Sequence, residues 1–187
     1  VYAVEPNDDM RKKAEEKLSD NKNFISVNGN SSDTTLPDGS VDNITAAQAF
    51  HWFDPVSFAA ECKRILKPGG RVIIVYNSRD EKAACTMALA ALRRKYAPEF
   101  HGFSNGISDE KCIAFFAGRC DIFRADNTQV YDRQGYIDRV LSSSYSLKEG
   151  DANFAEYLKE IGDIFDEFSE NGSIAVPTAT VAYSGIV

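Results

Sequence analysis

The sequence predicts an α/β protein: a mostly parallel sheet with helices on both faces and an antiparallel C-terminal edge strand. Three observations lead there. Short β-rich runs alternate with helical patterns through the first 76 residues. The run Arg71-Val72-Ile73-Ile74-Val75-Tyr76 is apolar with little alternation, as expected of a strand buried on both faces. Between a strand and a helix lies the aromatic loop Thr45 to Asp54, at the kind of sheet edge where open parallel sheets hold ligands.

Taken in order, Val1-Tyr2-Ala3-Val4 is a short strand that ends at Glu5-Pro6. A helix follows, capped by Asn7 or Asp8, with Met10, Ala14 and Leu18 on one face. Phe24-Ile25-Ser26-Val27 is the next strand and leads into Asn28-Gly29-Asn30-Ser31-Ser32. Leu36-Pro37-Asp38-Gly39-Ser40 is a turn before the strand that opens at Val41. Asp54-Pro55 opens a helix to Leu66: Asp caps it, and Pro suits the first position because its absent N–H would be unpaired there. Phe58, Ala59, Cys62, Ile65 and Leu66 face inward, and Lys67-Pro68-Gly69-Gly70 stops the helix.

Beyond the strand at 71–76 the pattern changes. Helices are predicted over Glu81 to Tyr96, Asp109 to Ala117, Gln134 to Leu141 and Asn153 to Phe168. The first ends in basic Arg93, Arg94 and Lys95; the last carries the stripe Phe154, Tyr157, Leu158, Ile161, Phe165 and Phe168, a core face. A strand is predicted near Ile122 to Val130 and another over Thr178 to Val187. His101 to Gly106 is a loop rich in small residues. With no repeat and no linker, residues 1–187 are expected to form one domain.

Composition narrows the function classes. Hydrophobic content of 43% and charged content of 26% describe a globular protein without a membrane-spanning run. A net charge of −7 argues against a nucleic-acid backbone as the main partner. Cys62, Cys85, Cys112 and Cys120 form no CxxC pair and no zinc spacing with His, which predicts reduced thiols in a cytoplasmic protein and no metal.

Four stretches then combine. Val4-Glu5-Pro6 before Met10, Leu36 to Asp42, Ala47 to Asp54, and Leu66 to Gly70 stand in an order and spacing that resemble the class I S-adenosylmethionine-dependent methyltransferases. The form Gln48-Ala49-Phe50-His51-Trp52-Phe53-Asp54 resembles the methyltransferase type 11, or trans-aconitate methyltransferase-like, branch. The match is dense over residues 1 to about 76 and architectural beyond. It implies a Rossmann-like sheet, S-adenosyl-L-methionine as cofactor, and methyl transfer to a small molecule at a carboxylate or hydroxyl. Helical insertions within 81–170 are then expected to cover the acceptor.

The resemblance also assigns roles. Glu5 sits where a carboxylate accepts hydrogen bonds from a ribose diol, the chemistry also used for NAD. Met10 would pack on the adenine face. Asn30, where the family often has Asp, would meet the adenine amine through its carbonyl oxygen, next to Ser31. Ala47 and Gln48 lie where the chain passes the methionyl part. His51 is the candidate base for a hydroxyl acceptor, or else a structural hydrogen-bonder; Trp52, Phe53 and His101 are candidates for the acceptor pocket. Two alternatives stand beside this reading. One is a non-catalytic member of the fold that acts as a binding protein. The other is an NAD-linked oxidoreductase, which the four-motif register and the lack of a Tyr-x-x-x-Lys pattern oppose.

One departure is large. The family's glycine-rich turn lies roughly 20 residues before the acidic residue, yet only Val1 to Val4 precede Glu5 and no G-x-G occurs. In the family's strand order 3-2-1-4-5-7-6 the first strand is central. Val1–Val4 and Val41–Ala46 are therefore expected to flank its place, and the chain to belong to a polypeptide with roughly 30 or more further upstream residues.

Overall fold

The computed structural model describes residues 1–103 and 107–187. Eight strands, six α-helices and one short 3-10 turn follow one another among them. They form two compact units: Val1–Val75, Ile107–Ile122 and Ala182–Val187 in the first, Tyr76–Gly106 and Phe123–Val181 in the second.

In the first unit, β1 (Tyr2–Val4) pairs in parallel with β2 (Ile25–Val27), with Val4 opposite Val27. The connecting helix α1 (Asp8–Leu18) begins at Asn7, whose side chain accepts the Met10 N–H. Its expected apolar face is open, since α1 has no buried residue. The strand β3 (Val41–Ala47) pairs in parallel with β4 (Leu66–Arg79). Between them α2 (Pro55–Ile65) is capped by Asp54 and buries Phe58, Glu61, Cys62 and Ile65.

Pairing along β4 starts earlier than expected. Leu66 already lies opposite Val41, and the next partner of β3 is Arg71 opposite Asn43, so Lys67 to Gly70 bulge out. Gly69 takes a φ of 83°, and a Cβ on Gly70 would stand 2.6 Å from the Asp42 carbonyl oxygen. That pair of glycines makes the tight approach of the two strands feasible.

The sheets have the orders β1-β2 and β3-β4-β8-β5, with a separate pair β6-β7. β5 is Cys120–Asp126, β6 Gln129–Tyr131, β7 Ile174–Val176 and β8 Thr178–Gly185. Read with the expected succession, β2-β1 and β3-β4-β8-β5 correspond to 3-2 and 4-5-7-6, and β1 and β3 are in separate sheets. One expectation is corrected: the C-terminal strand is not at the edge. β8 lies between β4 and β5 and buries Val181, Tyr183 and Gly185, whereas β5 is the outer strand and is largely exposed. The strand expected over 122–130 is also two, divided near Asn127, and the halves join different sheets.

The second unit packs α3 (Ala84–Tyr96), α5 (Arg133–Leu141) and α6 (Phe154–Phe168) with β6 and β7. Its core contains Leu89, Tyr136, Val140, Tyr157, Ile161 and Ile174, all at most 2% exposed. The α6 stripe is thus core from Tyr157 to Phe168, as its period predicts. The remaining helix, α4 (Asp109–Phe115), belongs to the first unit. All four cysteines are free thiols, and burial pushes Cys62 up to about 12 and Cys112 up to about 11.

Candidate functional site

The candidate residues stand in the loops that leave the carboxyl ends of strands. Glu5 follows β1 directly. Its N–H donates to the Val27 oxygen at 3.1 Å, and its carbonyl accepts from Arg11 Nη1 at 3.0 Å. The same Nη1 donates to Asn28 Oδ1 at 3.3 Å, so Arg11 ties together the loops after β1 and β2. Arg11 is itself held by Asp8, whose carboxyl it keeps below the usual carboxylate range. Pro6 lacks an N–H and ends β1, after which the Asn7 N–H donates to Glu5 Oε1 at 2.9 Å. Glu5 is half-buried, with Oε1 fixed and Oε2 making no hydrogen bond among the described residues.

The turn after β2 is built on Asn30. Its Oδ1 accepts from the Ser32 N–H, the Ser32 hydroxyl and the Asp33 N–H at 2.9, 2.9 and 3.0 Å. The oxygen expected to meet an adenine amine is therefore already supplied with three donors. Ser31 lies half-buried in this turn. Met10 is 64% exposed, which excludes it from the core and leaves its thioether accessible.

The second set follows β3. Ala47 is the last strand residue, and the Gln48 N–H donates to the Val75 oxygen at 2.9 Å. Gln48 has a φ of 54°. A left-handed conformation costs a non-glycine residue about 1–2 kcal/mol, so the loop turns here under strain. Phe50 anchors it: 6% exposed, the ring lies 5.0 Å from Phe115 and 6.1 Å from Phe58 between centroids. Phe53 leans on Phe58 at 4.8 Å. These two phenylalanines hold the loop down, which leaves His51 and Trp52 as the residues it presents. Trp52 is 79% exposed, its ring 4.7 Å from that of half-buried His51. Burial lowers the His51 pKa, favouring the neutral, proton-accepting imidazole.

His101 is exposed and belongs to the second unit; Ser104, Asn105 and Gly106 of its expected loop lie outside the described residues.

A buried carboxylate escaped the sequence reading. Glu61 is 6% exposed, and its Oε1 accepts from the Thr34 N–H, the Thr34 hydroxyl and Arg64 Nη2 at 2.8, 2.5 and 2.7 Å. Oε2 takes Arg64 Nε at 2.8 Å. Arg64 Nη1 then reaches the Leu36 oxygen and Asp38. This network fastens α2 to the segment that enters β3, and so sets where the aromatic loop begins. Its only sequence signal was the spacing of Glu61 from Phe58 and Arg64 on one helix side.

Among the described residues no helix is long and apolar enough to cross a membrane, and no group of three His, Cys, Asp or Glu could hold a metal ion.

Comparison with known proteins converges on one fold. Residues 1–74 match the family model described as methyltransferase domain. An uncharacterized methyltransferase from Mycobacterium bovis is 43% identical over 58 residues, which are 31% of this chain and 24% of that protein. The chain thus spans about a quarter of the length of the first curated relatives it matches. Among solved structures, the YcgJ protein of Bacillus subtilis superposes with a TM-score of 0.57 at 19% identity, covering all of this chain and 82% of that one. A SAM-dependent methyltransferase from Aquifex aeolicus superposes with a TM-score of 0.51 at 17% identity, covering all of this chain and 69% of that one. The chain shares the fold of these solved structures, and its residues 1–74 match the methyltransferase domain model.

Proposed function

We propose that this chain belongs to an enzyme that transfers a methyl group from S-adenosylmethionine to a small-molecule carboxylate or hydroxyl. The observation that carries the reading is Glu5. It is a half-buried carboxylate at a strand end, one oxygen held by the Asn7 N–H and the other uncommitted among the described residues, while Arg11 holds its backbone carbonyl. Such a group fits a ribose diol, which needs an acceptor held in place rather than a mobile surface acid. Met10 offers an accessible thioether for an adenine face. Asn30 and Ser31 shape the neighbouring turn, and Ala47 and Gln48 supply backbone groups for the methionyl end.

When bound, the sulfonium cofactor supplies an activated methyl group. The chain's own part is positioning, since in-line displacement depends on holding the acceptor at the right distance and angle. Trp52 gives an acceptor a flat apolar surface. For a hydroxyl acceptor, neutral His51 takes the proton; a carboxylate acceptor needs no base. The net charge of −7 favours a small molecule over a nucleic acid.

Calorimetry with S-adenosylhomocysteine and with NAD tests the reading, using the full-length protein and its Glu5→Gln variant. Binding of S-adenosylhomocysteine alone is expected. A charge-assisted hydrogen bond contributes about 1.5–3 kcal/mol, so Glu5→Gln should weaken it at least about tenfold with the far-UV spectrum unchanged. An unchanged dissociation constant removes Glu5 from the site, and heat from NAD instead overturns the cofactor assignment.

A further inference from the structure

The last turn of α3 holds a buried cation, Arg93, that makes no ion pair among the described residues. Arg93 is 4% exposed, and its Nε makes no hydrogen bond. Its guanidinium carbon lies 5.5 Å from the centre of the Phe100 ring and 5.2 Å from that of Phe103. Arg79, half-buried at the end of β4, places its own guanidinium 5.0 Å from the same Phe103 ring. Ring faces attract a cation but accept few of its N–H groups. Burial, with Arg79 and Arg139 adding repulsion, pushes Arg93 down to about 10. The guanidinium of Arg139 repels both arginines, and Arg79 repels Arg93.

A second orphan lies on the same helix. Thr86 Oγ1 is buried without a partner, in a residue 1% exposed. Thr86 precedes Arg93 by seven residues, about two helical turns, which puts both on one face of α3. These are the buried side-chain polar atoms without a partner among the described residues. A charge taken from water without a counter-charge is costly, and what this arrangement lacks is an acceptor.

We propose that Arg93 and Arg79, framed by Phe100 and Phe103, bind the carboxylate of a small molecule with an apolar body. A carboxylate presents two coplanar oxygens that match the guanidinium fork. The phenylalanine rings suit an apolar remainder, whereas a phosphate dianion would have to shed tightly held water among them. Half-buried Arg79 is the side from which the ligand arrives. All four residues belong to the second unit, and the assignment does not depend on the methyl-transfer reading.

The test is a calorimetric titration of benzoate, and of its neutral isostere benzamide, into the full chain and its Arg93→Met and Arg79→Gln variants. Benzoate is expected to bind at least about tenfold tighter than benzamide, as loss of a charge-assisted hydrogen bond implies. Each substitution should remove most of that preference while circular dichroism stays native. Arg93→Met should also melt higher than the parent without ligand, because an apolar chain replaces an uncompensated charge. Should Arg93→Met fail to fold, Arg79→Gln decides alone. Equal binding of the two probes, binding untouched by the substitutions, or no benzoate binding would each overturn the site and leave the guanidiniums as packing elements.

Discussion

Replacing Glu61 by Gln should loosen the chain in a way that depends on pH. The carboxylate is 6% exposed, and hydrogen bonds from Arg64, with those from Thr34, bring its pKa from 4.5 down to about 2. At about 1.36 kcal/mol per unit, that depression corresponds to roughly 3 kcal/mol of stability at neutral pH. Arg64 is 35% exposed along its side chain, so screening reduces the expected loss in Glu61→Gln to about 2–3 kcal/mol. The sign follows from linkage. A carboxyl whose folded pKa lies below its unfolded one stabilises fully above the unfolded value and ceases to do so as pH falls through the folded value. The gap between parent and variant should therefore be full at pH 7, shrink to under half by about pH 3, and close near pH 2. Urea unfolding at pH 7 and pH 3, followed by circular dichroism, measures it. A gap of equal size at both values would show that Glu61 acts through packing, and a gap below about 0.5 kcal/mol at pH 7 would place it with ordinary surface substitutions.

Other substitutions test the loop and its support. Trp52→Ala should lower turnover more than cofactor affinity and leave stability within about 0.5 kcal/mol, because the indole is 79% exposed; steady-state kinetics beside calorimetry separate the two. If His51 is the base, the acid limb of the rate profile should fall below pH 6.5, since burial lowers its pKa, and His51→Gln should erase that limb; a limb that survives the substitution assigns it elsewhere. Gly70→Ala should cost about 2 kcal/mol in urea unfolding, because the new Cβ would stand 2.6 Å from the Asp42 oxygen and 2.8 Å from Leu66 Cδ2.

What could be seen in the sequence was what is decided locally. Asp54-Pro55 starts α2 through a cap closed within three residues, and Asn7 does the same for α1. Glu5 and the Gln48 to Trp52 loop follow strands, as expected, and their proposed roles come from the resemblance. What stayed hidden depends on distant partners. Glu61 is inward because Thr34, 27 residues away, supplies two donors. Arg93 stands in sequence with Arg94 and Lys95 at a basic helix end, yet it alone of the three is buried, beside the rings of Phe100 and Phe103. The break between β5 and β6 falls at Asn127, whose amide donates to Thr180, 53 residues on, a bond that no local pattern announces. β7 was missed because its three residues sit between Asn171-Gly172 and Pro177, too short a run to show alternation.

The pairing of Trp52 with His51 has one more consequence. Trp52 is the chain's single tryptophan, so indole emission comes from one place, beside an imidazole 4.7 Å away between ring centres. A protonated imidazole quenches a neighbouring excited indole, whereas a neutral one does so far less. Emission followed against pH thus reads the charge of His51 directly, with no substrate present. A molecule that covers the indole shifts its colour to the blue by drying it. The chain carries a built-in optical reporter at its candidate site, and the filling of that site can be watched in an unlabelled sample.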